Sequence, residues 1–410
     1  MKLLNFGSCN VDYVYQLDHI VLAGETQSSL SVQVFAGGKG LNQSIAVSRA
    51  GAKVYHAGAI GSDGKFLLDL LKDNGVNVDY LKTVEEKTGH AIIQVAKSGE
   101  NSIFIHAGAN ACIDKKYINF VLDNFSKGDF LLLQNEISNV DYIIDKAFEK
   151  GMIIILNPSP INEKISKIDL NKISYLILNQ TEAQAITGQK EELALQYFKS
   201  NYPELKIVLT LGKSGSIYQD KKQKYYQKSY EVKAVDTTAA GDTYTGYLIS
   251  GLMKLSSLKS AMNYASLASA ISVSRNGAAP SIPLLKEVEN SIGKIKLKEE
   301  NLEEKSIKQT IEYYIENNLA TANVKDLSVK LGYSIVYTGY IVKKLFKITY
   351  KELLMDKRLN KAKELLITSN LSISEIISLV GYENQGYFRK KFIEKYGKKP
   401  LEFRNAKGEL

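Results

Sequence analysis

The chain has 410 residues, 44% of them hydrophobic and 24% charged, a balance typical of a globular protein with two or three domains. Its two cysteines exclude a disulfide framework, and no apolar run has the length of a membrane span or a secretory signal, so we expect a cytoplasmic protein without membrane contact. The net charge is +9, and residues 291–410 hold 23 Lys and Arg against 15 Asp and Glu. This excess predicts an anionic partner for the C-terminal part, unless it only reflects a lysine-rich composition.

Short apolar runs alternate with amphipathic helical patterns through the first 290 residues. Runs such as KLLNFGS, DFLLLQ, MIIILNPS and KIVLTLG are apolar on both faces, whereas SSLSVQVF and NSIFIHAG alternate as strands with one wet face do. Helical spacing covers residues 41–50, 65–74 and 140–150. Strand–helix alternation with doubly apolar strands predicts an α/β fold, a mostly parallel sheet covered by helices on both sides.

The pattern changes after Pro283. A charged segment with few aromatic residues follows, and from there to the end apolar residues recur at helical spacing without a convincing strand. We therefore expect one domain at residues 1–290, a charged linker at 291–305 and an all-helical domain at 306–410.

Glycine-rich loops follow several of the expected strands. The stretch VDTTAAGDTYTGYL contains Ala239, Ala240 and Gly241, small residues that leave backbone N–H groups open just before a helix expected to begin at Thr243. Such a helix N-terminus attracts anions. Asp242 beside it is suited to accept a proton from a hydroxyl group that attacks a phosphoryl group held there. Taken alone, a Gly-Asp pair is more often a helix cap.

Nine loops at family-like spacing make a stronger signal than any one of them. In order, GSCNVD, GGKGLNQ, HAGAN, LLLQNE, LNPSP, LNQTEA, TLGKSG, DTTAAGDT and RNGAAPSIP resemble the ribokinase family, within the PfkB class of carbohydrate kinases. The resemblance implies a three-layer α/β sandwich with a small β lid from the strands around 13–16, 28–35 and 91–105. It also implies a homodimer, a sugar and ATP as substrates, Mg²⁺ with the ATP, and K⁺ as an activator.

The resemblance also assigns residues to roles. Asp242 is the implied base, beside an anion hole of Ala239, Ala240 and Gly241. The implied sugar-binding residues are Asn10, Asp12, Gly38, Lys39, Asn42, Glu136 and Asp242. The implied nucleotide-binding residues are Asn179, Thr210, Gly212, Gly215, Gly241 and Ser266. Asn179 and Glu182 are implied to organise Mg²⁺ through water, and the positions matching the K⁺ site are Asp236, Thr238, Ser272, Arg275, Gly277 and Ser281.

The C-terminal part contains two similar helical units, one from Asn323 and one from Ser372. Each has a short helix, a glycine-containing turn and a longer helix with aromatic residues and cations, which is the helix-turn-helix plan. An amphipathic helix at 350–369 links them. Residues 306–404 resemble the AraC-type DNA-binding domain, so we expect double-stranded DNA as a partner; a helical bundle for protein interaction is the alternative.

The second unit is expected to supply the DNA contacts. The residues concerned are Glu383, Asn384, Gln385, Tyr387, Arg389, Lys390 and Lys391. Asn and Gln suit adenine, whereas Lys suits phosphate. The first unit departs from the pattern, because Gly339 lies inside its expected recognition helix and Tyr337 and Tyr340 crowd the same face. Whether it reads bases stays open.

The favoured function combines both parts. It is an ATP-dependent ribokinase, converting D-ribose and ATP to D-ribose 5-phosphate and ADP, fused to a sequence-specific transcription regulator. The alternatives are a kinase for deoxyribose, another furanose or a nucleoside, and a regulator whose kinase fold mainly senses a sugar. Intact Asp236, Gly241 and Asp242 argue against the sensor, because a pure sensor needs no base.

Overall fold

The computed structural model describes residues 1–163, 165, 168–254, 257–298 and 302–405, with side chains from 307 to 404 in the last segment. The chain divides into two compact units, residues 1–298 and 299–410. No helix among the described residues is long and apolar enough to cross a membrane.

The first unit contains all thirteen strands of the described residues. They are β1 (Leu3–Phe6), β2 (Asn10–Leu17), β3 (Ser31–Gly37), β4 (Val54–Ile60), β5 (Asn77–Thr83), β6 (Gly89–Ala96), β7 (Asn101–His106), β8 (Phe130–Gln134), β9 (Ile153–Asn157), β10 (Tyr175–Asn179), β11 (Lys206–Thr210), β12 (Ser216–Gln219) and β13 (Lys224–Gln227).

Nine of these strands form the main sheet, in the order β13-β12-β11-β10-β9-β8-β1-β4-β5. The pairs from β10–β11 across to β4–β5 are parallel, whereas the pairs β11–β12 and β12–β13 are antiparallel, so β12 alone runs against the other strands. Leu3 of β1 lies opposite Val54 and Phe130 on its two neighbours, and β8 is buried along its whole length. The predicted, mostly parallel sheet of doubly apolar strands is confirmed.

Helices cover both faces of this sheet. They are α1 (Lys39–Arg49), α2 (Lys65–Asp73), α3 (Lys115–Leu122), α4 (Val140–Glu149), α5 (Gln180–Thr187), α6 (Glu191–Asn201), α7 (Ala240–Met253), α8 (Leu258–Val273) and α9 (Leu285–Ser291). Short 3₁₀ turns lie at Ser62–Gly64, Gly108–Cys112, Leu170–Lys172, Gly212–Ser214 and Ala279–Ser281. Leu3 packs with α1, α7 and α8 in one core, and Leu4 packs with α3 and α4 in the other. Alternation along each strand thus fills two cores, which gives the three-layer sandwich.

A smaller sheet of four strands, ordered β3-β2-β6-β7, corresponds to the lid that the family resemblance implies. Strand β2 pairs antiparallel with β3 and parallel with β6, and β6 pairs antiparallel with β7. Asn10 and Asp12 lie on β2, so one lid strand carries two of the expected sugar-binding residues.

The second unit is all-helical in its described part. Its helices are α10 (Leu302–Asn317), α11 (Val324–Leu331), α12 (Ile335–Phe346), α13 (Tyr350–Thr368), α14 (Ile373–Leu379), α15 (Gln385–Tyr396) and α16 (Pro400–Asn405). Two cores hold the unit together, one around Ile311, Leu327 and Val342 and one around Leu366, Phe388 and Phe392. Helix α13 contributes to both, because Leu353 belongs to the first core and Leu359 to the second.

The segment 291–305, expected as a linker, includes structured residues at both ends. Leu297 forms a β-bridge with Tyr230, and α10 begins at Leu302, while residues 299–301 lie outside the described residues. A charged, solvated helix has the same composition as a linker, so composition alone does not distinguish the two.

Candidate functional site

Several polar side chains lie at the ends of parallel strands of the main sheet. Asn157, Asn179 and Thr210 are the last residues of β9, β10 and β11, and Glu136 follows β8 by two residues. The carboxyl ends of parallel strands share one edge of a sheet, where ligands bind in open α/β folds. This edge is therefore the candidate site, and Asn157 joins it although the sequence analysis did not select it.

The glycines just before and within the first turn of α1 bring that helix against the loop after β1. A Cβ atom on Gly37 would lie 2.0 Å from the Asp12 carboxylate, and one on Gly40 would lie 2.3 Å from the backbone nitrogen of Ser8. Gly38 has a φ of 94°, which favours glycine. A side chain larger than hydrogen would clash at Gly37 and at Gly40. The close approach of the backbones directs Asn42 of α1 toward the strand ends.

Asp242 lies in the first turn of α7, which begins at Ala240 and not at the expected Thr243. Its side chain is only 6% exposed. Asn42 donates to one carboxylate oxygen at 3.1 Å and Gln43 donates to the other at 2.9 Å. Burial raises the pKa of Asp242 above its usual range, while the charge of Lys39 and the two amide hydrogen bonds oppose that rise.

The N-terminus of α7 differs in detail from the expected anion hole. The N–H of Ala240 donates to the carbonyl of Thr237 at 3.2 Å, and Ala239 is the N-cap, whose carbonyl accepts from Thr243. Gly241 and Asp242 are the second and third residues of the helix, so their N–H groups have no intrahelical acceptor. A Cβ atom on Gly241 would meet nothing within 4 Å. The donors available to an anion are therefore those of Gly241 and Asp242.

A series of hydrogen-bonded amide side chains orients the Asp242 carboxylate. Gln43 donates to Asn157 as well as to Asp242, and its own oxygen accepts from Gln134 at 2.7 Å. Gln134 also donates to Asn5 at 3.0 Å. Both N–H groups of Gln134 are thus used, which fixes the Gln43 amide with its amino group toward Asp242.

The sequence analysis missed this series of amides. Gln43 and Gln134 stand in the quoted stretches GGKGLNQ and LLLQNE, and both side chains are fully buried. A glutamine inside an otherwise buried pattern is the signal that could have identified them, because a buried amide requires hydrogen-bond partners.

The expected sugar-binding residues lie around the lid strand β2 and the start of α1. Glu136 accepts hydrogen bonds from the Ser8 hydroxyl and from the backbone N–H of Lys39, and Asn10 accepts from Asn110 at 2.8 Å. Burial and the nearby charge of Glu136 raise the pKa of Asp12 to about 7. Among the described residues, the side-chain oxygen of Asn42 is buried without a partner.

Lys39 lies in a cavity of about 140 Å³ together with Asn157, Asn179, Glu182 and Asp242. Burial alone would lower its pKa, but the charges of Asp242, Glu136 and Glu182 raise it overall. Lys39 was expected among the sugar-binding residues. The structure places it in the same cavity as Asn179 and Glu182 as well, and its positive charge is stabilised by Asp242, Glu136 and Glu182.

A second cleft, of about 400 Å³, adjoins this cavity and contains all six expected nucleotide-binding residues. They are Asn179, Thr210, Gly212, Gly215, Gly241 and Ser266. Tyr230, Val232, Ala270 and Val273 add apolar surface, which suits a base ring. Asn179, Thr210 and Gly241 line both spaces, so a ligand in the cleft has a direct path to Asp242.

Asn179 and Glu182 form a capping box at the start of α5. Asn179 accepts from the backbone N–H of Glu182 and donates to its carboxylate, each at 2.9 Å, and the Asn179 N–H also donates to Glu182. The described residues contain no group of three or more His, Cys, Asp or Glu that could hold a metal ion by themselves. Mg²⁺ commonly binds through few carboxylates, its own waters and substrate phosphates, so this oxygen donor set fits the ion through water.

The positions implied for K⁺ lie in the loop before α7, in the last turn of α8 and just after that helix. Although burial alone would raise it, the pKa of Asp236 lies below its usual range because Thr238 and Gly277 donate hydrogen bonds to the carboxylate. The hydroxyls of Ser272 and Ser281 are 2.8 Å apart. Arg275 differs, since its guanidinium pairs with Glu287 at 2.6 Å. The remaining hydroxyl and carboxylate oxygens are chemically suited to an alkali cation.

In the second unit, α15 presents most of the residues expected to contact DNA. Phe388 and Phe392 are buried, whereas Glu383, Gln385, Tyr387, Arg389 and Lys390 are exposed. The other two are engaged within the helix. Asn384 is the N-cap, accepting from the N–H of Tyr387 at 2.9 Å, and Lys391 pairs with Glu394 at 2.6 Å.

The corresponding helix of the first unit is continuous. Helix α12 runs through Gly339, and Ser334 caps it by accepting from the N–H of Tyr337. Gly339 therefore does not interrupt the helix, and the rings of Tyr337 and Tyr340 stack on its exposed side.

Comparison with known proteins gives a consistent result for both units. Residues 1–285 match the model of the pfkB family of carbohydrate kinases, and residues 327–406 match a helix-turn-helix domain. A ribokinase of Haemophilus influenzae is 36% identical over 292 residues, which cover 68% of this chain and 95% of that protein.

Two solved structures are similar over the same part. Ribokinase from Cryptococcus neoformans in complex with ADP is 35% identical, with a TM-score of 0.63, covering 70% of this chain and 99% of that one. Arabidopsis thaliana ribokinase complexed with ribose and ATP is 28% identical, with a TM-score of 0.63, covering 70% of this chain and 97% of that one. The chain therefore belongs to the pfkB family of carbohydrate kinases, as a sugar kinase that transfers a phosphoryl group to an alcohol and carries an AraC-type helix-turn-helix domain.

Proposed function

We propose that this sugar kinase is a ribokinase, transferring the terminal phosphoryl group of ATP to the primary hydroxyl of D-ribose, and that its helix-turn-helix domain binds DNA. The position of Asp242 carries the proposal for the kinase. Its carboxylate is held by Asn42 and Gln43 of α1, on the sugar side. Its helix N-terminus borders the nucleotide cleft. Asp242 therefore lies between the sugar-binding residues and the nucleotide cleft.

The sugar is bound by acceptors on and beside the lid. Asp12, Glu136 and the unpartnered oxygen of Asn42 accept hydrogen bonds from its secondary hydroxyls. Closure of the β2–β6 lid over the sugar excludes water, which strengthens these hydrogen bonds and limits hydrolysis of ATP. The primary hydroxyl then points toward Asp242.

The transfer step needs a base, an anion site and charge balance. Asp242 takes the proton of the primary hydroxyl while the hydroxyl oxygen attacks the terminal phosphorus, and the bond from that phosphorus to the bridging oxygen breaks to release ADP. The N–H groups of Gly241 and Asp242 stabilise the negative charge that develops on the transferred group. Lys39, between Asp242 and Glu182 in one cavity, neutralises charge on the same oxygens.

Two ions complete this proposal. Mg²⁺ would be held through water by Glu182, which Asn179 orients, and it supplies positive charge to the phosphate oxygens. K⁺ would be held near Asp236, Thr238, Ser272 and Ser281, where it supplies positive charge behind the anion site.

We also propose a homodimer formed through the lid. Strands β3 and β7 are the edges of the lid sheet, and they expose large apolar side chains, among them Val32, Val34, Ile103 and Phe104. An exposed apolar surface of this kind on paired edge strands favours association.

The experiment is ADP release from Mg·ATP over a panel of ribose, deoxyribose, other furanoses and nucleosides, with and without K⁺. Asp242→Asn protein serves as the background. Ribose turnover above that background, stimulated by K⁺, is expected. Turnover with another member of the panel only would replace the substrate. If a sugar raises the melting temperature of the protein but none is turned over, the kinase fold is a sensor and the proposed activity is wrong.

A further inference from the structure

The two helix-turn-helix units have the same register along their second helices. Ser334 and Asn384 are the N-caps of α12 and α15, and each accepts from the N–H three residues later. Four residues after each cap, Thr338 and Phe388 are fully buried. The helices therefore expose equivalent positions, and Val336 corresponds to Gly386 and Tyr340 to Lys390.

The chemistry exposed at these equivalent positions differs. Helix α15 exposes Gln385, Tyr387, Arg389 and Lys390, of which only Tyr387 has its counterpart, Tyr337, on α12. On α12 the exposed residues before Lys343 are Ile335, Val336, Tyr337 and Tyr340, and Val336 is 85% exposed. No charged residue occurs between Lys330 and Lys343. We name this set of four exposed residues the α12 apolar face.

Aromatic contacts order the α12 apolar face. The rings of Tyr337 and Tyr340 stack with centroids 5.9 Å apart, and Tyr333 packs edge-on against Tyr337, which holds the aromatic surface in place. Contiguous exposed apolar side chains on a small domain mark a binding surface. The N-terminal half of the second helix is also the part of a helix-turn-helix unit that meets base edges.

Charge around the face distinguishes the candidate partners. Lys343, Lys344 and Lys347 lie at the C-terminal end of α12, within a region of net positive charge. DNA offers phosphates to these cations, whereas the same stretch of a second copy, residues 331–351, contains no acidic residue to pair with them. In the major groove, the apolar group that DNA presents is the C5-methyl of thymine.

On this basis we propose that the α12 apolar face reads thymine methyl groups in the major groove, with Val336 in direct contact. The half-site of the first unit is then recognised by apolar contact, and that of the second unit by hydrogen bonds and phosphate contacts. This inference rests on the proposed DNA binding of the second unit.

The test begins with duplexes selected from a random pool by the full chain, with the two half-sites identified by protection from cleavage. Thymines of each half-site are then replaced separately by deoxyuridine, which removes only the methyl groups. In the half-site of α12, we expect about fourfold weaker binding for each contacted methyl. Val336→Ala should bind the thymine duplex more weakly and lose most of its sensitivity to deoxyuridine. Val329→Ala, an exposed valine on α11, is the matched control and should keep that sensitivity.

The possible outcomes distinguish a failure of the thymine inference from a failure of the proposed DNA-binding function. If no duplex is retained at any salt concentration, the DNA-binding function itself is wrong. If duplexes are retained but deoxyuridine in the α12 half-site changes affinity less than twofold, only the thymine inference is overturned. If Val336→Ala instead dissociates an oligomer of the free protein, the α12 apolar face belongs to an interface between copies and the inference is also overturned.

Discussion

The two candidate sites hold their functional side chains in opposite ways. In the kinase unit Asp242, Gln43 and Gln134 are buried and each is fixed by another side chain. In the helical unit Arg389 and Lys390 point to solvent from a helix whose buried side carries Phe388. The first site depends on the geometry of one connected network, whereas the second depends on which groups a helix presents.

This difference has an energetic consequence. Removing one member of a buried network leaves its partners without hydrogen bonds in a place water does not reach, so effects are large and not additive. Removing one exposed cation from a DNA-binding helix removes one of several similar contacts, so effects are small and nearly additive. The predictions below test this contrast.

The largest effect is expected for Asp242→Asn. The substitution keeps the size of the side chain and removes the proposed base, so kcat should fall about 10²–10⁴-fold while the sugar still binds. Initial rates of ADP release and the sugar dissociation constant measure the two effects. Asp69→Asn, an exposed aspartate on α2, is the control and should leave both unchanged. A fall of less than tenfold would show that Asp242 is not the base.

Gln43→Met should have the next largest effect. It preserves volume but removes the donor to Asp242, so kcat should fall about 10–100-fold, the range of a hydrogen bond to a charged group. KM for the sugar should change little, because Asp12 and Glu136 keep their contacts. The melting temperature must be measured as well, since Gln43 is buried.

Gln134→Met distinguishes a role of Gln43 in positioning Asp242 from a general loss of packing in the core. This variant leaves the Gln43–Asp242 contact in place, frees the oxygen of the Gln43 amide and also removes the hydrogen bond to Asn5. A smaller loss of kcat than in Gln43→Met supports the network. If both variants lower kcat only in proportion to the folded fraction, Gln43 is a core residue without a positioning role.

Much of the fold could be predicted because the central strands carry their signal locally. Strands β8, β9 and β11 are short apolar runs bounded by turn residues, as buried parallel strands are. Strands β5, β12 and β13 lie at or near sheet edges, where polar side chains interrupt the run, as in NVDYLKT and KYYQ. Sequence periodicity therefore misses them.

The residues of the candidate site also divide into those that a local sequence motif identifies and those whose role depends on contacts with distant parts of the chain. Asp242 and Asn179 stand in short motifs whose spacing points to a role. Gln43, Gln134 and Asn5 acquire theirs only through contacts between residues far apart in the chain. The start of α7 at Ala240 likewise depends on the turn closed by Thr237. A run of Thr, Ala and Gly does not specify that turn by itself.

The KM for the sugar is expected to depend on pH through Asp12, with a change of about tenfold. Its pKa of about 7, raised by burial and by Glu136, means that the carboxylate protonates as pH falls from 8 to 6. The protonated form accepts hydroxyl hydrogen bonds poorly, so KM for the sugar should rise by about tenfold over that interval. In Asp12→Asn, KM should be high throughout and should lose this pH dependence. A wild-type KM that stays constant from pH 8 to 6 would contradict the prediction.

The smallest effect is expected for Lys390→Ala, on the exposed surface of α15. Loss of one phosphate contact should weaken binding a few-fold and by a similar factor for every duplex sequence. The slope of log Kd against log salt should decrease by about one. Lys199→Ala, an exposed lysine on α6, changes the net charge equally and should leave the slope unchanged. If Lys390→Ala instead alters the preferred sequence, Lys390 reads a base, and the recognition helix depends on specific geometry as the buried kinase site does.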